Sequence, residues 1–110
     1  MTDDRLYLAH IQQAIQKVLS YCQAGQEEFL RNTLIQDAVI RNFEIIGEAA
    51  KRLSDAAKSR RPDVPWRRVA GFRDILIHQY MGVDPREVWG VVESNLPALQ
   101  QAIEELLKGV

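Results

Sequence analysis

The residues able to do chemistry converge on one window, Gly71-Phe72-Arg73-Asp74-Ile75-Leu76-Ile77-His78-Gln79-Tyr80. It gathers a permanent cation, a titratable imidazole and a phenol. A guanidinium is a planar fork that matches a phosphate. An imidazole moves protons near neutral pH. Together they suit RNA cleavage without a metal. The imidazole exchanges protons with the 2′-hydroxyl or the leaving oxygen, and the guanidinium stabilises the charged phosphorane. The phenol of Tyr80 can stack a base or donate a hydrogen bond. The same residues also admit a purely structural reading: Arg73 pairs with an acidic side chain, His78 caps a helix end and Tyr80 closes the core. The Arg-x4-His-x-Tyr string is short and does not by itself establish an enzyme.

Helix geometry constrains this window. Arg73 and His78 are five positions apart, which is about 140° around an ideal helix. Tyr80, seven residues on, returns to nearly the face of Arg73. One straight helix therefore does not aim Arg73 and His78 at one phosphate. Either the helix distorts near His78, where the Met81-Gly82 break follows, or a two-fold dimer gathers these residues from both chains into one cleft. The dimer is the stronger expectation, because acid–base cleavage commonly uses two proton-transfer groups and one chain offers one such histidine.

The remaining inventory is thin. His10 flanks an apolar stripe and reads as structural or exposed. Cys22, the single cysteine, sits on that stripe and reads as core packing rather than a nucleophile. No Cys/His cluster has metal-ligand spacing, so no metal is expected. No glycine loop of the P-loop or dinucleotide type is present, and no cofactor is expected. Glu27-Glu28 and Glu104-Glu105 read as solvated helix faces.

The 110 residues suit one domain, 1–110, with apolar residues at 46% and charged residues at 26% as in ordinary globular chains. No apolar run approaches a membrane span. A lone cysteine and an acidic N-terminus without an apolar signal core point to a cytoplasmic setting. The net charge of −1 hides an asymmetry. Residues 51–73 hold eight Lys and Arg against Asp55 and Asp63, a local +6 that leaves −7 elsewhere. Such a stretch is either an anion-facing surface or a solvated helix end and loop. Arg67 and Arg68 within it are the candidate RNA contacts.

The elements that must position this window are helical, since strand signals are nearly absent. A first helix is expected from about Asp4 to Gln23, with Leu8, Ile11, Ile15, Val18, Leu19 and Cys22 on one stripe and a stop at Ala24-Gly25. A second runs from Asn32 to Lys58, capped by Asn32 or Thr33, with Leu34, Ala38, Phe43, Ile46, Ala50 and Leu53 on its apolar faces. Gly47 inside it costs about 1 kcal/mol against alanine, which points to close helix contact. Pro65 opens a third helix from Trp66 to Gln79 or Tyr80. Asp84 and Pro85 start a fourth, and Pro97 kinks it or starts a fifth capped by Asn95. Short connections between amphipathic helices predict an antiparallel all-α bundle of four to five helices.

Taken together, these segments resemble the HepT-like toxins of the HEPN superfamily, which are all-helical ribonucleases. The resemblance spans nearly the whole chain. It runs from Ala38-Val39-Ile40-Arg41-Asn42 and Ile45-Ile46-Gly47-Glu48-Ala49-Ala50, through Val64-Pro65-Trp66-Arg67, to Arg73-Asp74-Ile75-Leu76-Ile77-His78-Gln79-Tyr80, Gly82-Val83-Asp84, Val88-Trp89 and Asn95-Leu96-Pro97. It implies the toxin of a type VII toxin–antitoxin system: a metal-independent endoribonuclease, homodimeric, with its cleft at the dimer interface. Arg73 and His78 match the catalytic pair. Asp74 stands where asparagine is frequent and has a supporting role that its charge complicates. The implied partner is a minimal nucleotidyltransferase antitoxin, MntA, which uses ATP to AMPylate the tyrosine matching Tyr80. Adenylates there would set bulk and negative charge beside Arg73. An alternative is a non-catalytic HEPN scaffold for that nucleotidyltransferase. A DNA-binding antitoxin is the weakest option, since no basic recognition helix stands out.

Overall fold

The structure, a computed structural model, describes residues 3–110 apart from the side chain of Tyr80. Among these residues it is all-α, with seven helices: α1 (Asp4–Tyr21), α2 (Gln26–Arg31), α3 (Thr33–Arg52), α4 (Asp55–Ser59), α5 (Trp66–His78), α6 (Pro85–Ser94) and α7 (Leu96–Lys108). Five are the expected long elements. The short α2 and α4 are additions that the hydrophobic pattern did not resolve.

Local chemistry explains the boundaries. Asp3 accepts a hydrogen bond from the Leu6 amide and starts α1. Asn32, not Thr33, caps α3 by accepting from the Ile35 amide. Asp84 caps α6 through the Arg86 amide, with Pro85 in the first turn. Asn95 stands before α7, yet its side chain makes no capping bond. Gly25, at φ +94°, takes the left-handed turn that separates α1 from α2.

Two expectations are corrected. The helix predicted over Asn32–Lys58 breaks at Leu53 and Ser54. Ser54 caps α4 by accepting from the Ala57 amide, while its own amide and hydroxyl donate to Asp4 at 2.9 and 2.6 Å. That polar tie to the start of α1 satisfies backbone groups that a continuous helix would have used. Leu34, assigned to the apolar face, is 78% exposed. It lies in the first turn of α3, ahead of the buried stretch that begins at Val39.

The core is built around α3, which packs on α1, α2 and α5; α1 also packs on α7, and α6 on α2 and α7. Leu8, Ile11, Ile15 and Val18 from α1 are fully buried, as are Val39, Ile103 and Phe29. Burying a side chain the size of Phe29 contributes about 1.5–3 kcal/mol. Its ring also stacks on Trp89, with centroids 5.3 Å apart, and this fixes α2 against α6. Cys22 packs half-buried against this core. Burial pushes its thiol pKa up, the opposite of what a nucleophile needs. The Trp66 indole donates to the carbonyls of Lys58 and Arg61, at 3.2 and 3.1 Å, and sets the start of α5.

Candidate active site

Arg73 is positioned by a glycine. At Gly47 the backbone of α3 comes so close to α5 that an added Cβ would lie 2.5 Å from Arg73 Cβ and 3.2 Å from the Val69 carbonyl oxygen. The close helix contact expected at Gly47 is therefore the contact beneath Arg73. From there the guanidinium reaches two carboxylates. Nε lies 3.1 Å from Glu48 Oε2, and Nη1 donates to Asp74 Oδ1 at 3.1 Å. Glu48 is shared, since its Oε1 takes Arg52 Nε and Nη2 at 3.1 and 3.0 Å. Glu48, and behind it Tyr7, hold the Arg52 pKa above its ordinary value.

Arg73, Glu48 and Arg52 line an open cleft of about 260 Å³ between α1, α3 and α5. Arg41, Glu44, Tyr7 and His10 complete its polar wall, and Ile45 and Ile77 its apolar one. His10 is exposed there, edge-on to the Tyr7 ring. The cleft holds three cations against two carboxylates. The Arg73 side chain keeps 30% of its surface exposed.

His78 is not in this cleft. α5 stays α-helical through His78, its last residue, so the local distortion that would swing His78 toward Arg73 is not found. His78 is exposed, on a face about 140° from Arg73. Arg67 and Asp74 share that outward face by helical spacing, and all three are exposed. Arg68 turns instead toward a larger groove. The chain then closes into a 3-10 turn over Tyr80–Gly82. The expected role of Tyr80 rests on a side chain outside the described residues.

The basic stretch is also less free than its sequence implies. Arg61 pairs with Asp63 at 2.7 Å and with Glu105 of α7, and only 20% of its side chain is exposed. Arg52 and Arg73 pair with Glu48. Lys51, Arg60, Arg67 and Arg68 are exposed with no ion pair among the described residues. Glu48, Asp74 and Glu105, all outside the counted segment, therefore offset about half of the +6.

A second depression, of about 530 Å³, opens on the other side of α5. Phe43, Ile46, Val69, Phe72, Leu96 and Leu99 line it, with Ile75 at its edge 51% exposed. α5 packs broadly on α3 alone, so this groove separates it from α6 and α7.

Sequence reasoning missed Glu48 as the partner of Arg73. The signal was available: Glu48 follows the one glycine of the second predicted helix, where two helices must approach most closely.

The sequence itself matches a known class. Residues 11–106 match the family Ribonuclease HepT-like. The chain is 42% identical over 103 residues to a probable ribonuclease HepT of Thermococcus cleftensis, covering 93% of this chain and 94% of that protein. It is 35% identical over 109 residues to a "Putative RNase" of Caldanaerobacter subterraneus subsp. tengcongensis, covering 98% and 97%. It is also 37% identical over 107 residues to a Methanocaldococcus jannaschii protein named "Gamma-glutamylcyclotransferase and putative RNase". That match takes 96% of this chain but only 48% of the longer protein. No solved structure matched. The chain belongs to the HepT-like ribonuclease family.

Proposed function

We propose that this chain is a metal-independent endoribonuclease that works as a homodimer and serves as the toxin of a two-component system. The observation that carries the reading is the placement of Arg73: a partly exposed guanidinium, fixed by a helix crossing, in an open cleft of a HepT-like domain. His78 acts as the proton-transfer group. It takes the proton of a 2′-hydroxyl, the 2′-oxygen bonds to phosphorus, the bond from phosphorus to the 5′-oxygen breaks, and the leaving oxygen gains a proton. Arg73 stabilises the phosphorane charge between these events. Arg67, on the His78 face, and Arg68 supply phosphate contacts.

The dimer follows from the divergence of Arg73 and His78 within one chain. The apolar groove beside α5 and the exposed Ile75 supply a surface for a second copy. Pairing the outward faces of two α5 helices, between the groove and the Arg73 cleft, would let Arg73 of one protomer serve with His78 of its partner. Regulation belongs to a minimal nucleotidyltransferase of the MntA kind: the Tyr80 hydroxyl loses its proton, its oxygen bonds to the α-phosphorus of ATP, and pyrophosphate leaves. The added phosphates crowd and repel RNA next to Arg73.

The test is cleavage of RNA in EDTA by the wild-type chain, Arg73→Ala, His78→Ala and an equimolar mixture refolded from the two variants. Each variant alone is expected to be inactive, and the mixture to regain activity through heterodimers that hold one intact pair. An active single variant refutes the assigned roles, and an inactive mixture refutes the shared site. A second reading, a non-catalytic scaffold for the nucleotidyltransferase, is favoured by one observation, the engagement of Arg73 by two carboxylates. It predicts nucleotidyltransferase binding with no cleavage by the wild-type chain.

A further inference from the structure

We infer that Glu48 is a positioning residue for RNA cleavage, holding the Arg73 guanidinium at Nε and leaving its Nη2 end to the scissile phosphate. This rests on the ribonuclease reading above. An arginine side chain has several rotatable bonds and loses much of its rotamer freedom when fixed. A guanidinium that must meet a phosphorane in one orientation gains from being held before the substrate arrives.

Three observations support this role. The ion pair is close, at 3.1 Å between Glu48 Oε2 and Arg73 Nε. Glu48 is itself anchored, because its other oxygen takes two nitrogens of Arg52 one helical turn further along α3. The pair also sits where the helices are forced together, since Glu48 directly follows Gly47 and Gly47 meets the Cβ of Arg73. Arg52, Glu48 and Arg73 thus form a cation–anion–cation chain with a net charge of +1, to which Asp74 on Nη1 of Arg73 adds a second carboxylate. A carboxylate beside a phosphate-binding arginine would otherwise weaken the pull on an anion, and Arg52 offsets that cost. Nη2 of Arg73 has no partner among the described residues. It shares the Nε edge with the Glu48 contact, and its second N–H points off the end of the fork, where a phosphate oxygen can still be received.

The experiment compares Glu48→Ala, Glu48→Gln and Arg52→Ala with the wild-type chain. We expect kcat to fall about tenfold in Glu48→Ala with KM within about twofold, since the lost restraint acts on orientation in the transition state. Glu48→Gln keeps the shape without the charge and falls between. Arg52→Ala, one step further removed, falls about threefold. Melting temperatures should stay within about 3 °C, because half-exposed ion pairs add little stability. Side-chain 15N relaxation of the Arg73 Nε–H, assigned by its loss in Arg73→Lys, should show a lower order parameter in Glu48→Ala. An unchanged kcat in Glu48→Ala, or a loss that appears only as raised KM, overturns the inference. An unchanged Arg73 order parameter overturns it as well. If the wild-type chain cleaves no RNA, the ribonuclease reading fails on its own, and the relaxation comparison still decides whether Glu48 holds Arg73.

Discussion

Replacing Gly47 with alanine is the sharpest probe of how the fold aims Arg73. The new methyl would sit 2.5 Å from Arg73 Cβ and 3.2 Å from the Val69 carbonyl oxygen. Carbon atoms rest at about 3.5–4.0 Å, so α3 and α5 must separate by about 1 Å at this point. No flexible side-chain tip can absorb that, because the facing atoms belong to the Cβ and backbone of α5. Overpacking costs about 1–3 kcal/mol. Exchanging a helical glycine for alanine returns about 1 kcal/mol. The net loss is then about 0–2 kcal/mol, at about 4–8 °C of melting temperature per kcal/mol for a domain near this size. The domain should remain folded. Activity should suffer more, since a misplacement of about 1 Å can cost about 100-fold in rate. We expect kcat/KM for a fluorogenic RNA to fall about 30–100-fold in Gly47→Ala, beside a modest drop in melting temperature. Gly90→Ala in α6 is the control, because an added Cβ meets nothing within 4 Å there. It should gain up to about 1 kcal/mol and leave activity alone. A Gly47→Ala chain with full activity and a raised melting temperature would refute the idea that this crossing sets the position of Arg73.

Other outcomes follow from the same structure. Asp74→Asn removes a carboxylate from Arg73 Nη1 and should lower KM for RNA about two- to fivefold, as expected from an exposed pair; fluorescence anisotropy with a 2′-O-methyl oligonucleotide reads the same change. Ile75→Glu puts a charge at the rim of the apolar groove and should leave a folded monomer without RNase activity, which sedimentation and cleavage assays check together. The Arg86 amide, and then its guanidinium, hold the Asp84 pKa below the ordinary carboxylate value. That contribution to stability is present above the unfolded-state value of about 3.9 and is lost as pH falls through the lower folded value. Melting curves should therefore show a shallower acid loss in Asp84→Asn, with little change at neutral pH because asparagine also caps helices.

Much of the fold was legible because its signals are local. Asn32 and Asp84 each announce a helix start, and the Leu8-Ile11-Ile15-Val18 stripe needs only its own spacing to be read. The break at Ser54 was not legible in that way. Its stabilising partner, Asp4, lies fifty residues upstream, so the helical periodicity running to Lys58 hid it. α2 is six residues long, too short for a periodic pattern, and is held by what Phe29 packs against. The site divides likewise. Arg73, His78 and their angular divergence follow from one helix's geometry. The carboxylate that holds Arg73 belongs to another helix and was visible only through the adjacent glycine. The charge of residues 51–73 misled for the same reason, since Glu48 and Glu105 approach it through space.

One feature of the packing bears on how the molecule opens. α5 leans broadly on α3 alone, and its other flank faces the groove toward α6 and α7. Local opening free energy tracks the apolar contact an element would give up. α1, gripped by both α3 and α7, and α3, gripped on three sides, then set the global limit, while α5 detaches at a lower one. The helix that carries Arg73 and His78 is thus held on one face, and its amide hydrogens should exchange ahead of those of α1 and α3. Any molecule that fills the groove slows that exchange by its own binding free energy, so occupancy of the groove and order of α5 become one equilibrium.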